Sequence, residues 1–153
     1  MENNSKNLKT KENAKLLIIF SAILLGIDVI YIICGSLVPV FGLLLAIASI
    51  VFFILTVVYG FKTGSRGLSK NEITTRKLSI SLVALFIISF VLAIIATAMF
   101  LSGAAKTAIA IYGLSVIANL AQLGVLIALL CFAVKTYNSK NNSHPAQQQN
   151  LRQ

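Results

Sequence analysis

Residues 78–101 read LSISLVALFIISFVLAIIATAMFL, twenty-four consecutive positions without a charge. Wound as an α-helix at 1.5 Å per residue, the segment is about 36 Å long, enough to cross a hydrocarbon layer of about 30 Å. Working outward, three more windows have the same character. Residues 16–38 are interrupted only by Asp28 and small residues, 40–61 carry no charge, and 108–134 carry none but contain Asn119 and Gln122. The whole chain is 58% hydrophobic and 11% charged over 153 residues, where soluble domains are about half apolar and a quarter charged. Its mean hydropathy is +0.90. The expected fold class is therefore all-α: an integral membrane four-helix bundle in one domain, residues 15–136. A basic segment, 1–14, precedes it and a polar tail, 137–153, follows.

The basic residues predict an orientation. Of thirteen Lys and Arg, four precede the first span (Lys6, Lys9, Lys11, Lys15) and five lie between spans two and three (Lys62, Arg66, Lys70, Arg76, Lys77). Three more follow the fourth (Lys135, Lys140, Arg152), and Lys106 stands alone in the other connections. Basic residues are retained on the cytoplasmic side, so both termini and the central loop are expected there, in a multi-pass cell-membrane protein. The net charge of +9 is then explained by topology and by contact with anionic lipid headgroups, and nucleic acid is not an expected partner. Lysines before the first span also resemble the start of a signal peptide. The apolar run exceeds the usual 7 to 15 residues and lacks a small-x-small ending, so an uncleaved span is expected. Abundant Ile, Lys and Asn with short loops suggest a bacterial cytoplasmic membrane.

Local signals punctuate the helices. Pro39 suits the first turn of helix two, after a tight turn at Gly35–Val38. Ser69-Lys-Asn-Glu72 has the spacing of a capping box, which starts helix three near Lys70, and Ser102-Gly103 ends it. Tyr59, Tyr112 and Tyr137 fall near the expected membrane–water boundaries, where amphipathic rings are favoured. The tail from Asn138 is polar, contains Pro145 and has no apolar period, so it is expected to be disordered, with His144 solvated. Cys34 and Cys131 lie roughly 20 Å apart along the membrane normal, which excludes a bridge between them. Two cysteines without nearby histidines form no metal site, and no cofactor is implied.

Lipid offers no hydrophobic drive for helices to associate, so small residues and hydrogen bonds should mark the interior. The candidate packing stripes are Gly42, Ala46, Ser49, Thr56 and Gly60 on helix two, Ser89, Ala93 and Thr97 on helix three, and Ala22 with Gly26 on helix one. Gly113, Ala118, Ala121, Gly124 and Ala128 mark helix four. Asp28, Ser49, Ser89, Asn119 and Gln122 all come out within about one turn of mid-depth and are expected to form one polar layer. An acid at the centre of a span disfavours insertion by about 2.5 to 3.5 kcal/mol. The spans hold no Lys, Arg or His, so a neutral or water-solvated Asp28 bonded to Asn119 and Gln122 is expected.

The binding or proton-carrying candidates are therefore Asp28, Tyr31, Asn119, Gln122, Ser49 and Ser89. Catalysis is not expected, because there is no HExxH, no GxSxG, no paired intramembrane aspartate and no histidine base in the spans. A channel would want a polar stripe along the span rather than a layer. Two classes remain: a non-enzymatic accessory or interaction protein whose partner is another membrane protein or a second copy, and a small proton- or cation-coupled transporter in which Asp28 titrates. In its layout of four helices with an acid in the first, the chain is similar to the small multidrug-resistance transporters. It departs from them in having Asp in place of Glu, no Trp, a longer chain and a strong charge bias. The resemblance implies a role for Asp28 in coupling and extends no further than layout.

Overall fold

The computed structural model describes the backbone of residues 2–34, 39–64 and 69–149, and side chains at 5, 7–31, 44–64 and 69–140. The fold is all-helical. It consists of α1 (Glu2–Cys34), α2 (Pro39–Gly64), α3 (Lys70–Leu101) and α4 (Ala105–Gln149). Each helix packs on its neighbours in sequence, and α4 closes the ring against α1. All four are long and apolar enough to cross a membrane, over Asn7–Tyr31, Leu44–Gly64, Lys70–Leu101 and Ala105–Lys140. Four such helices suggest a multi-pass membrane protein. The expected turn at 35–38 lies outside the described residues, as do the side chains of Cys34, Gly42 and His144.

The helix ends have local causes. Helix α3 starts where the Ser69 hydroxyl accepts a hydrogen bond from the Glu72 amide at 3.3 Å, with Ser69 itself in extended geometry (φ −131, ψ 156). It stops at Gly103, whose φ of +85 lies in the left-handed region open to glycine. There the Ala104 amide donates to Met99 O at 3.0 Å and the Gly103 amide to Phe100 O at 3.2 Å, the paired bonds of a Schellman stop. Proline opens α2 at Pro39, where its missing N–H would have no helical partner anyway.

Two segments set apart by their polarity prove to extend the helices. The basic stretch from Glu2 to Ala14 is continuous with the first span in α1, with Thr10 and Ala14 buried. Helix α4 continues past residue 134 through Asn138, where the tail was expected to begin, and on to Gln149. The extensions hold each other. The Lys140 ammonium donates to Asn7 Oδ1 at 3.1 Å, and Lys11 stands 5.5 Å from the centre of the Tyr137 ring. These polar stretches are helical and stay packed on one another.

The core comprises Leu17, Leu24, Phe53, Leu82, Leu126, Leu129 and Ala133, supported by Phe20 against Tyr59 (5.3 Å) and by Phe53 stacked on Phe86 (4.4 Å). Large apolar side chains also cover the outside, up to Leu101 at 81% exposed, as a lipid-facing surface requires. At the end that carries the termini, α2 approaches α3 closely. A Cβ on Gly60 would run into Ser79 Oγ, and one on Gly64 would lie 2.5 Å from Arg76 Cβ and 2.7 Å from Glu72 O. Gly60-x3-Gly64 is thus the close approach of α2 to α3. Of the small residues expected to pack on helices one and four, Ala118 is buried, whereas Gly26, Gly113 and Gly124 face open space and Ala22 and Ala121 are exposed. The inner face of α1 is Thr10, Ala14, Leu17, Ser21 and Leu24. On α4 it includes Ala108, Ser115, Leu129 and Thr136, spaced at multiples of seven as in a left-handed bundle.

Candidate functional site

The polar residues expected to meet at mid-depth form two separate sets, one in each helical hairpin. In the α1–α2 hairpin, Ser49 Oγ donates to Asp28 Oδ1 at 3.1 Å. In the α3–α4 hairpin, Ser89 Oγ donates to Asn119 Oδ1 at 2.6 Å and lies 3.3 Å from Ser115 Oγ, which also reaches Ser89 O at 3.3 Å. Ser115 and Asn119 are one helical turn apart on α4, so a single α3 hydroxyl can sit between them.

Asp28 therefore bonds to Ser49 and not to the two amides, which corrects the expectation of a single layer. The physical reason is the shape of the bundle. Beyond Leu24, α1 has no buried residue among those described, and α2 has none between Leu44 and Phe52. By contrast, α3 and α4 keep Ser89, Ala96, Ala108, Ser115 and Ala118 buried as far as their connecting turn. Asp28 stays half-buried and Asn119 exposed. Tyr31, one turn beyond Asp28, is 47% exposed and stands outward from the bundle. Gln122 lies deeper, and its Oε1 is buried without a hydrogen-bond partner.

The buried polar residues also do not stop at one depth. Thr10, Ser21, Thr56, Thr63, Glu72, Thr75, Ser79, Ser89, Ser115 and Thr136 are all buried, so polar groups recur along the interior between leucine layers. Several satisfy themselves within their own helix: Thr75 donates to Asn71 O at 2.8 Å, Ser79 to Thr75 O at 2.9 Å and Thr136 to Phe132 O at 2.9 Å. That is why Ser79 can occupy the apolar window 78–101 without breaking it.

One residue with a larger part than its sequence context suggested is Glu72. Its backbone joins the cap as expected, but its side chain turns inward, fully buried, with Oε1 3.1 Å from Lys140 Nζ. The capping-box spacing explained this acid too readily. Its partner lies 68 positions away, on a helix extension that looked like a tail. The pair ties the start of α3 to α4, and the Asn7 contact adds α1. A cavity of about 290 Å³ lies between α3 and α4 near their connection, lined by Ala96, Phe100, Leu101, Ala108, Ile109, Thr97 and Tyr112; none of the mid-helix candidates borders it. Comparison of the chain with protein-family models, curated proteins and solved structures finds no match in any of the three.

Proposed function

We propose that the chain is a non-enzymatic protein of the cell membrane, of bacterial type, that works by associating with another membrane protein. Both termini and the connection between α2 and α3 face the cytoplasm in this reading, in keeping with twelve of thirteen basic residues at that end. The observation that carries it is the state of Asp28. A carboxyl in the middle of a span has, among the described residues, one hydroxyl partner, Ser49, and remains half exposed beside an outward tyrosine. Intramembrane acids ordinarily pair or mark a functional path. A partner helix offering a cation or hydrogen-bond donor would complete the coordination of Asp28, with Tyr31 at the edge of the contact.

The test is photo-crosslinking in native membranes with a benzophenone amino acid at Tyr31. An adduct with another membrane protein is expected, retained in Asp28→Asn and lost in Asp28→Leu. No adduct, or one indifferent to Asp28→Leu, would overturn the reading.

A second reading, proton- or cation-coupled transport with Asp28 titrating, is favoured by the polar groups along the interior, which approach the stripe that a path needs. It is separated from the first by Asp28→Asn. A folded, correctly inserted variant that keeps its partner but loses its biological phenotype would select transport.

A further inference from the structure

Three side chains in the heart of the bundle have oxygens that are buried and without a hydrogen-bond partner: Ser21 Oγ on α1, Thr56 Oγ1 on α2 and Gln122 Oε1 on α4. Helix register places them at one level. Asp28 meets Ser49 and Leu17 lies against Gly60, so Ser21 and Thr56, each seven residues from the first pair and four from the second, are opposite one another. Phe53 stacks on Phe86 and Gly60 meets Ser79, which sets Thr56 level with Val83. Ser89 meets Ser115, and seven residues further along each helix Leu82 is level with Gln122. Core residues lie one turn away on both sides of this level, Leu24 and Phe53 above and Leu17 and Leu126 below.

We propose that Ser21, Thr56 and Gln122 form an internal water-binding site that joins α1, α2 and α4. Buried waters typically make about three hydrogen bonds to groups that would otherwise lack them. The chemistry matches: the amide oxygen can only accept, while each hydroxyl can donate or accept, so one water donating to Gln122 and to one hydroxyl while accepting from the other satisfies all three oxygens. A metal cation fits less well, because the level offers three neutral oxygens and no carboxylate, Asp28 being about 10 Å further along α1. The site supplies what the direct bonds do not. At mid-depth those bonds lie within the hairpins, and this water bridges between them. The inference is independent of the partner reading, since it concerns the interior alone.

The experiment uses the full chain in nanodiscs. Ser21→Ala, Thr56→Val and Gln122→Leu are made singly and together. Each single change leaves two arms of the network mismatched and should lower the melting temperature by about 2–4 °C, while the triple variant, with no polar atom left, should return to within about 2 °C of the parent. The Gln122 side-chain amide should show a nuclear Overhauser cross-peak to a long-lived water that disappears in Thr56→Val. Single costs that merely add in the triple variant, together with no such cross-peak, would overturn the proposal. So would a melting temperature that rises when choline chloride is replaced by sodium chloride, which would identify a cation instead. The cross-peak on the parent protein decides the matter even where a variant fails to fold.

Discussion

Lys140 reaches across the end of the bundle to Glu72, Nζ to Oε1 at 3.1 Å, with the carboxylate at 0% exposure and the lysine at 14%. A charge so enclosed is tolerated only when it is paired, and removing one partner of such a pair is destabilising by up to about 3–5 kcal/mol. Lys140→Met should therefore lower thermal stability in detergent far more than Lys135→Met, whose lysine is exposed and rests on the Phe132 ring at 5.1 Å. Replacing Glu72 and Lys140 together by methionine should recover much of the loss. Equal effects of the two single substitutions would show that the pair contributes nothing.

The contact between α2 and α3 predicts opposite outcomes for two glycines. A methyl group at Gly64 meets backbone, Glu72 O at 2.7 Å, which cannot swing away as a side-chain end can. Gly64→Ala should cost about 1–3 kcal/mol by forcing the helices apart. Gly26 faces open space, so Gly26→Ala should be neutral or stabilising by up to about 1 kcal/mol. Thermal unfolding of both variants, read in the same detergent, checks the contrast.

Serines at similar depth should differ in the same way. Ser89 is 7% exposed and serves both Asn119 and Ser115, whereas Ser49 serves only the half-buried Asp28. Ser89→Ala strands two groups and should cost about 1–2 kcal/mol. For Ser49→Ala about 0.6 kcal/mol is expected, the average for one hydrogen bond between membrane helices. A larger loss at Ser49 would mean that the α1–α2 hairpin depends on Asp28 more than its exposure implies.

Orientation is tested by single cysteines in a cysteine-free background, since the native Cys131 is itself exposed. Ser102→Cys, beside the α3–α4 turn, should react with an impermeant maleimide in intact cells. Lys70→Cys, at the start of α3, should react only after permeabilisation. The reverse pattern would invert the proposed topology.

What the sequence determined by itself follows from effects that act over a few residues. Charge-free windows such as 78–101 specify helices long enough to span a membrane, Ser69 starts one and Gly103 stops it, because hydropathy, capping and left-handed backbone are local matters. The polar groups of the candidate site were visible in the same way: Asp28, Ser49, Ser89, Asn119 and Gln122 stand out against their apolar surroundings. Their pairing did not stand out. In lipid the inner and outer faces of a helix are about equally apolar, so hydropathy cannot say which face is inside. Ser and Thr bonded to their own helix, as Ser79 is to Thr75, cost an apolar window little, and Ser21, Thr56, Ser79, Ser89 and Ser115 are buried among the hydrophobic residues of the apolar windows. Small residues at the right spacing appear alike whether a neighbour approaches, as at Gly64, or none does, as at Gly124. Whether Asp28 meets Asn119 or Ser49, and whether Glu72 caps its own helix or holds Lys140, depends on how far two hairpins diverge along their length. That distance is set by all the contacts of the bundle together, and only the tertiary structure decides it.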